Sequence, residues 1–469
     1  MKRRLMPMIC VFLTVLLVLS GCTGKKAETE QLDEARTEEL LPLAQAFTSC
    51  LQGEDYEAAF GMMDDRLSAS LEGKLESTWR QLLDTRGGFI ETGEYRGISA
   101  EGYDAVEMTL IFENGTLIQR TVFDRENRLT GLWFKPGRVE GRSSRGSVSD
   151  RVEERSVTVD AGDGYPLDGI LSVPKNGTNY AAVVLIHGSG PSDMDESIGA
   201  NAPFRDLAEA FAENGIAVLR YNKRTYTYGE RMARSPDVDT LTVDDETVKD
   251  AVAAVRLLKS VEEIDADRVF LLGHSMGGGL LSYIDSQGAD CAGYIIMAGS
   301  PRKLWELSAE QNLRLADELE QAGDEKNAAD IRAAVERELR KGERLSGMSD
   351  QDARRESSAV FGVSAWYLRR LAQIDPIALH LNDGKPVLIL QGEKDRQVTM
   401  TDFELWRDGL DAHPHAAFRS YPELNHLFGA YTGEAVPFSA LVSVEYAQKT
   451  PVADEVTEDI VEWIRRTGG

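Results

Sequence analysis

Histidine, cysteine and positive charge are all scarce in this 469-residue chain, which holds six His, four Cys and 52 Lys and Arg against 78 Asp and Glu. The shortage of cations leaves a formal charge of −26. A surface that acidic repels phosphate backbones, which excludes nucleic-acid binding, and it cannot hold an anionic lipid surface by charge. Four cysteines make no disulfide framework. Cys10 and Cys22 lie near the N-terminus, and Cys50 and Cys291 fall in what read as different domains. A chain this large, 42% hydrophobic, folds without cross-links, so buried free thiols are expected at Cys50 and Cys291. Long apolar runs are missing too. Leu5 to Leu19 is nearly all apolar, yet it falls short of the ~20 residues a spanning helix needs.

That run follows Lys2-Arg3-Arg4 and has the form of a secretory leader. It ends in Leu19-Ser20-Gly21-Cys22, which resembles the lipobox of bacterial lipoproteins. The resemblance implies cleavage before Cys22 and acylation of that residue. The mature chain would then be lipid-anchored on the extracytoplasmic face of a bacterial cell membrane; the alternative is an ordinary leader. Cleavage removes three cations and no acid, taking the charge from −26 to −29. More than one acyl chain is needed for a firm anchor.

Residues 22–36 are polar and suit a tether. From 37 to 135 a small α+β domain is expected. Leu40, Leu43, Phe47 and Leu51 recur at helical spacing, as do Leu71, Leu75, Trp79 and Leu82. After Tyr95 the period changes to that of strands, with Val106, Met108, Leu110 and Phe112 alternating with polar neighbours. The order resembles the uncharacterised cystatin-like or NTF2-like domains found ahead of secreted hydrolases. Residues 136–154 are rich in Gly, Ser and Arg and read as a linker. From 155 to 469, continuous apolar runs at Ala181–Ile186, Ile216–Tyr221, Val269–Leu272, Tyr294–Ala298 and Val387–Leu390 alternate with helical stretches. That alternation predicts a mainly parallel sheet with helices on both faces. A charged helical stretch over about 302–371 interrupts it. An insertion there would lie over the carboxyl ends of the strands as a cap, or stand away from them as a solvated helical pair. Trp305, Trp366 and Tyr367 are its possible apolar lining, or its packing.

Chemistry concentrates after the strand Val269–Leu272, where Gly273-His274-Ser275-Met276-Gly277 precedes a run of small residues. G-x-S-x-G between a strand and a helix is a nucleophile elbow, whose sharp turn tolerates little side chain around Ser275. No Gly-Lys-Ser/Thr follows, so a phosphate loop of the usual form is excluded. A serine hydroxyl needs a base held by an acid. Of the six histidines, His187 and His274 belong to glycine motifs, and His380 precedes the seventh strand. His413 and His415 precede the last strand. A metal pair at His413-Pro414-His415 lacks surrounding carboxylates, so no metal or cofactor is expected. His426 lies just beyond the last strand and is the base. Asp395, in Gln391-Gly392-Glu393-Lys394-Asp395, is the acid, with Glu393 its rival. Ile186-His187-Gly188-Ser189-Gly190 supplies an oxyanion loop, with the amides of Ser189 and Met276 as donors.

The run from His187 to Glu196, Leu219–Thr225, Gln391–Asp395 and Leu424–Phe428 together resemble a bacterial esterase family. Its members are α/β hydrolases related to dienelactone hydrolases and prolyl-oligopeptidase-type enzymes. The likeness spans about residues 35–468. It implies an eight-stranded α/β-hydrolase fold and hydrolysis of small-molecule carboxylic esters, with Ser275 as nucleophile, His426 as base and Asp395 as orienter. Asn222 stands where Asp is commoner and Met194 where Arg is commoner. A peptidase or amidase on the same fold is the first alternative. An envelope binding protein with a vestigial triad is the second.

Overall fold

Odd- and even-numbered residues of Ala181–Ile186 enter different cores, the behaviour of a strand buried on both faces. In the computed structural model, which describes residues 30–100, 103–112, 115–136, 150–175, 177–356 and 358–467, this strand lies within an eight-stranded sheet. The expected leader, Cys10, the lipobox with Cys22, and residues 137–149 of the expected linker lie outside the described residues. The described residues up to 136 form one compact unit and those from 150 onward a second.

The first unit runs β1 (Glu30–Gln31), α1 (Glu34–Gln52), α2 (Tyr56–Gly61), α3 (Asp65–Leu71), α4 (Leu75–Arg86), β2 (Phe89–Ala100), β3 (Tyr103–Phe112), β4 (Gly115–Phe123) and β5 (Leu129–Pro136). Its strands pair antiparallel in sequence order. Alternation along β3 sends Val106, Met108, Leu110 and Phe112 into one core with Leu40, Phe47, Leu51 and Trp79. Asp33, Asp55 and Asp64 start α1, α2 and α3 by accepting a first-turn N–H. The tether is therefore shorter than its polarity suggests. Glu30 and Gln31 pair with β2, and α1 begins at Glu34 because Asp33 caps it.

The second unit runs β6 (Val152–Val159), β7 (Leu167–Pro174), β8 (Tyr180–Ile186), α5 (Pro203–Glu213), β9 (Ala217–Tyr221), α6 (Arg224–Ala233), α7 (Lys249–Lys259), β10 (Ile264–His274), α8 (Leu281–Ile284) and β11 (Tyr294–Met297). There follow α9 (Leu304–Gln321), α10 (Glu325–Ser346), α11 (Asp350–Arg355), α12 (Ala365–Ala372), α13 (Pro376–Asp383), β12 (Val387–Gly392), α14 (Met400–Gly409), β13 (Ala416–Tyr421) and α15 (Asp454–Thr467). The strand order is β13-β12-β11-β10-β8-β9-β7-β6, parallel from β13 to β9 and antiparallel at β7 and β6. Val152 to Glu154 read as linker in the sequence but open β6, pairing with Pro174 to Ser172.

One face of the sheet packs Val184, Leu271, Ile296 and Ile389 against Ala254, Leu258 and Trp406 of α7 and α14. The other packs Val183, Phe270, Ile295 and Leu388 against Phe204 and Phe211 of α5 and Ile460 and Trp463 of α15. Each such aliphatic or aromatic side chain contributes about 1.5–3 kcal/mol by leaving water. A sheet clamped this way holds its strand ends still, and every candidate catalytic residue sits just beyond one.

Helices α9 to α12 fill the expected insertion between β11 and β12 and enclose a core of their own around Val335, Leu345 and Phe361. They do not stand apart from the sheet. On α9, Gln311 donates to the Gln397 carbonyl at 3.1 Å and Arg314 to that of Arg396 at 2.8 Å, both just after β12. The aromatics read as possible lining are packing instead. Trp305 is buried in the insertion's core. Trp366 lies under the Arg354 guanidinium at 4.2 Å and donates to the Thr240 carbonyl. Tyr367 gives its hydroxyl to Glu246. Cys50 and Cys291 are free thiols, but only Cys291 is buried as expected; Cys50, on α1, is half-buried. Among the described residues no helix is long and apolar enough to cross a membrane.

Candidate active site

Strand β10 ends at His274, and the next residue, Ser275, turns the chain into a short 3₁₀ helix, Ser275–Leu280. The turn holds Ser275 at φ +54°, a left-handed conformation that costs a non-glycine residue about 1–3 kcal/mol. The two flanking glycines make it feasible. A Cβ on Gly273 would come within 2.5 Å of the Gly277 carbonyl carbon, and one on Gly277 would run into the carbonyls of Ile186 and His187. Ser275 and Met276 are half-buried, whereas Val269 to His274 just before them are buried.

His426 and Asp395 meet just beyond the ends of β13 and β12. Imidazole Nδ1 lies 2.6 Å from Asp395 Oδ2, and the two residues are only 3% and 4% exposed. The other carboxylate oxygen, Oδ1, accepts the backbone N–H of Gln397 at 2.7 Å and of Val398 at 3.0 Å, while Gln391 Nε2 donates to Oδ2 at 3.1 Å. The rival Glu393 turns outward and accepts from the Ser420 hydroxyl. Backbone bonds from Glu393 to Tyr421 and from Lys394 to Leu424 fasten the acid loop to the base loop. Asn425 shapes the latter: its Oδ1 accepts the N–H of Leu427 and Gly429, and its Nδ2 donates to Glu445.

The remaining histidines take structural places. His187 is buried against Phe204 and Tyr221, bonds the Asp193 carbonyl, and is pushed down to about 4 by that burial. His380 is buried between Tyr294 and Trp406, and burial pushes it down to about 3. His413 points its Nε2 at the His380 carbonyl. Asn222 and Met194, the two unusual residues, touch each other: the Met194 N–H donates to Asn222 Oδ1 at 2.9 Å.

Sequence reasoning missed what lies beneath the serine. His274 Nε2 is 2.9 Å from the carbonyl of His426, and the two rings are 4.6 Å apart. Its Nδ1 faces Glu196 Oε2 at 2.9 Å, while Glu196 Oε1 accepts the Gly188 N–H at 2.7 Å. One buried carboxylate thus joins the oxyanion loop, the elbow and, through His274, the base loop. Burial alone would lower His274 and raise Glu196. Their attraction outweighs it in both, so His274 is raised and Glu196 lowered. Glu196 contributes stability above its unfolded range near pH 4.3 and loses it as pH falls through its depressed value. His274 contributes fully below about pH 6.5 and loses it as pH rises through its raised value. The pair is strongest between these limits. Glu196→Gln is expected to cost about 3–5 kcal/mol at pH 5.5–6.5, and to flatten the fall in stability above pH 6.5. Denaturant melts at pH 5.5, 7 and 8.5 check this, and parallel pH slopes in both proteins would contradict it.

The sequence matches the model of the alpha/beta hydrolase family over residues 183–436. The chain is an α/β hydrolase. Ahead of that match, residues 44–132 match a family of unknown function, DUF3887. The α/β hydrolase is 32% identical over 420 residues to "Esterase EstD" of Thermotoga maritima, an alignment covering 89% of this chain and 93% of that one. It is 30% identical over 170 residues to "Cutinase 2" of Thermobifida cellulosilytica, covering 36% and 55%. An esterase structure from Pyrococcus furiosus superposes with a TM-score of 0.41 at 15% identity, covering 71% of this chain and 97% of that one.

Proposed function

We propose that Ser275, His426 and Asp395 carry the carboxylic-ester hydrolysis of this α/β hydrolase through an acyl-enzyme. With Nδ1–H donated to Asp395, His426 keeps Nε2 as the base that takes the Ser275 proton as Oγ attacks the ester carbonyl. The carbonyl oxygen gains the negative charge, which the N–H groups of Ser189 and Met276 receive. Collapse returns the proton from His426 to the departing alcohol. Water, deprotonated by the same imidazole, then cleaves the acyl-serine. The buried 2.6 Å contact between His426 and Asp395, together with a half-buried serine held in a strained turn, supports this reading. A fluorophosphonate probe tests it by adding one phosphonyl group to Ser275. An unlabelled protein that still cleaves a p-nitrophenyl ester, or one that cleaves aminoacyl amides faster than esters, would overturn it.

We also propose that Cys22 is the acylated first residue of the mature chain, and that the protein acts at the outer face of a bacterial membrane. The cationic start, the short apolar run and Leu19-Ser20-Gly21-Cys22 support this. The helices-then-sheet order of the first unit supports its cystatin- or NTF2-like reading. Mass spectrometry of protein extracted from membranes should show Cys22 at the N-terminus with two or more acyl chains. An unmodified Cys22 sinks the anchor.

A further inference from the structure

Gly188 is gripped on both sides of its backbone. Its N–H goes to Glu196, and its carbonyl accepts from Lys223 Nζ at 2.8 Å. Lys223 follows β9 and is only 2% exposed, a costly place for an ammonium group unless partners surround it. The partners are the Gly188 carbonyl and Glu246 Oε1, at 2.6 Å. Glu246 Oε2 in turn accepts the Tyr367 hydroxyl at 2.6 Å, and Tyr367 lies on α12, the last helix of the insertion. A continuous line, buried at Lys223 and half-buried at Glu246 and Tyr367, therefore runs from the helical insertion to the oxyanion loop.

The carbonyl that Lys223 holds shares its peptide unit with the Ser189 N–H. A trans peptide is planar, with C=O and N–H pointing opposite ways, and the chain has no cis bond among its described residues. Fixing the Gly188 oxygen toward Lys223 thus fixes the Ser189 N–H away from it. Without Lys223 this peptide could turn over at little cost, since a glycine on one side and an exposed serine on the other restrain it weakly. The loop also lies close to the nucleophile: a Cβ on Gly188 would lie 3.1 Å from Ser275 Cβ.

We propose that Lys223 is a positioning residue for the oxyanion hole, and that Glu246 and Tyr367 tie its position to the helical insertion. The proposal rests on the assignment of Ser189 as an oxyanion donor. It predicts that part of the insertion's effect is on the chemical step and not on binding. In the full mature chain, Lys223→Met is expected to lower kcat for a p-nitrophenyl ester by about 100-fold, the scale of one misaimed donor. KM should stay within about threefold, because the hole is used mainly in the transition state. Lys223→Arg should recover part of the loss. Tyr367→Phe, which removes one hydroxyl, should lower kcat by about 3- to 10-fold with an unchanged melting temperature. A trifluoromethyl ketone, which forms a tetrahedral adduct, should lose affinity in step with kcat/KM. Unchanged kcat in either Lys223→Met or Tyr367→Phe, or losses confined to KM or melting temperature, would overturn the relay. If Lys223→Met fails to fold, Tyr367→Phe decides alone. Ser275→Ala run in parallel separates the two layers. An active Ser275→Ala removes the hydrolytic assignment and the relay with it, whereas an inactive one beside an unaffected Tyr367→Phe removes only the relay.

Discussion

In Ser275→Ala, kcat for a short p-nitrophenyl ester is expected to fall by on the order of 10⁴ or more, with KM little changed and fluorophosphonate labelling abolished. The variant keeps the β-carbon beside the oxyanion loop and removes only the oxygen that attacks. Ala meets the same left-handed turn as Ser, so the elbow's strain is left as it was. His426→Ala should give a loss of similar size, because a hydroxyl without its base is hardly nucleophilic at neutral pH. The double variant should be scarcely worse than either single one, since residues acting as a unit do not add. Activity above the uncatalysed rate should persist, supplied by substrate binding and the N–H donors. Multiplying losses in the double variant, or a single variant within tenfold of wild type, would mean that Ser275 and His426 do not act together.

The elbow was legible because its requirements are local. Four apolar residues ending in Gly-His-Ser-Met-Gly specify a buried strand, a turn too tight for side chains, and an exposed hydroxyl, all within nine positions. His426 is singled out by scarcity, since two other histidines belong to glycine motifs and three precede the strands they would have to follow. Asp395 over Glu393 was closer. What decides it is the turn after Gly392, which carries the third residue inward and leaves Glu393 facing Ser420. The Glu196–His274 pair joins positions 78 apart, and no spacing rule reports such a contact. Lys223 carried one unused signal: a cation two residues past a wholly buried strand, Ala217–Tyr221, must find partners or unfold it. Element boundaries were blurred where polarity and structure part company. Strand β10 begins at Ile264 although Asp265, Asp267 and Arg268 interrupt its apolar run. The helical stretch ahead of β10 opens with a wide turn over Asp244–Val248 before α7.

Asp395→Asn is expected to be nearly as damaging as losing the serine, and the reason lies in its hydrogen bonds. The Oδ1 position receives two backbone donors, from Gln397 and Val398, that cannot rotate away. An asparagine must therefore place its carbonyl oxygen there and its NH₂ group at the Oδ2 position, opposite His426 Nδ1 and Gln391 Nε2. Facing a donor, Nδ1 must become an acceptor, and the ring proton moves to Nε2. The imidazole then presents a proton to Ser275 instead of a lone pair, and it cannot act as base. Turnover should drop by on the order of 10⁴ at neutral pH, as for a triad acid changed to its amide elsewhere. The fold should survive, because the two backbone bonds are kept. Glu393→Gln is the matched control, and with its carboxylate turned to Ser420 it should stay within about twofold of wild type. Stopped assays on both variants, with melting curves to confirm folding, decide the matter. An Asp395→Asn protein within tenfold of wild type would show that the tautomer of His426 is held by something other than Asp395.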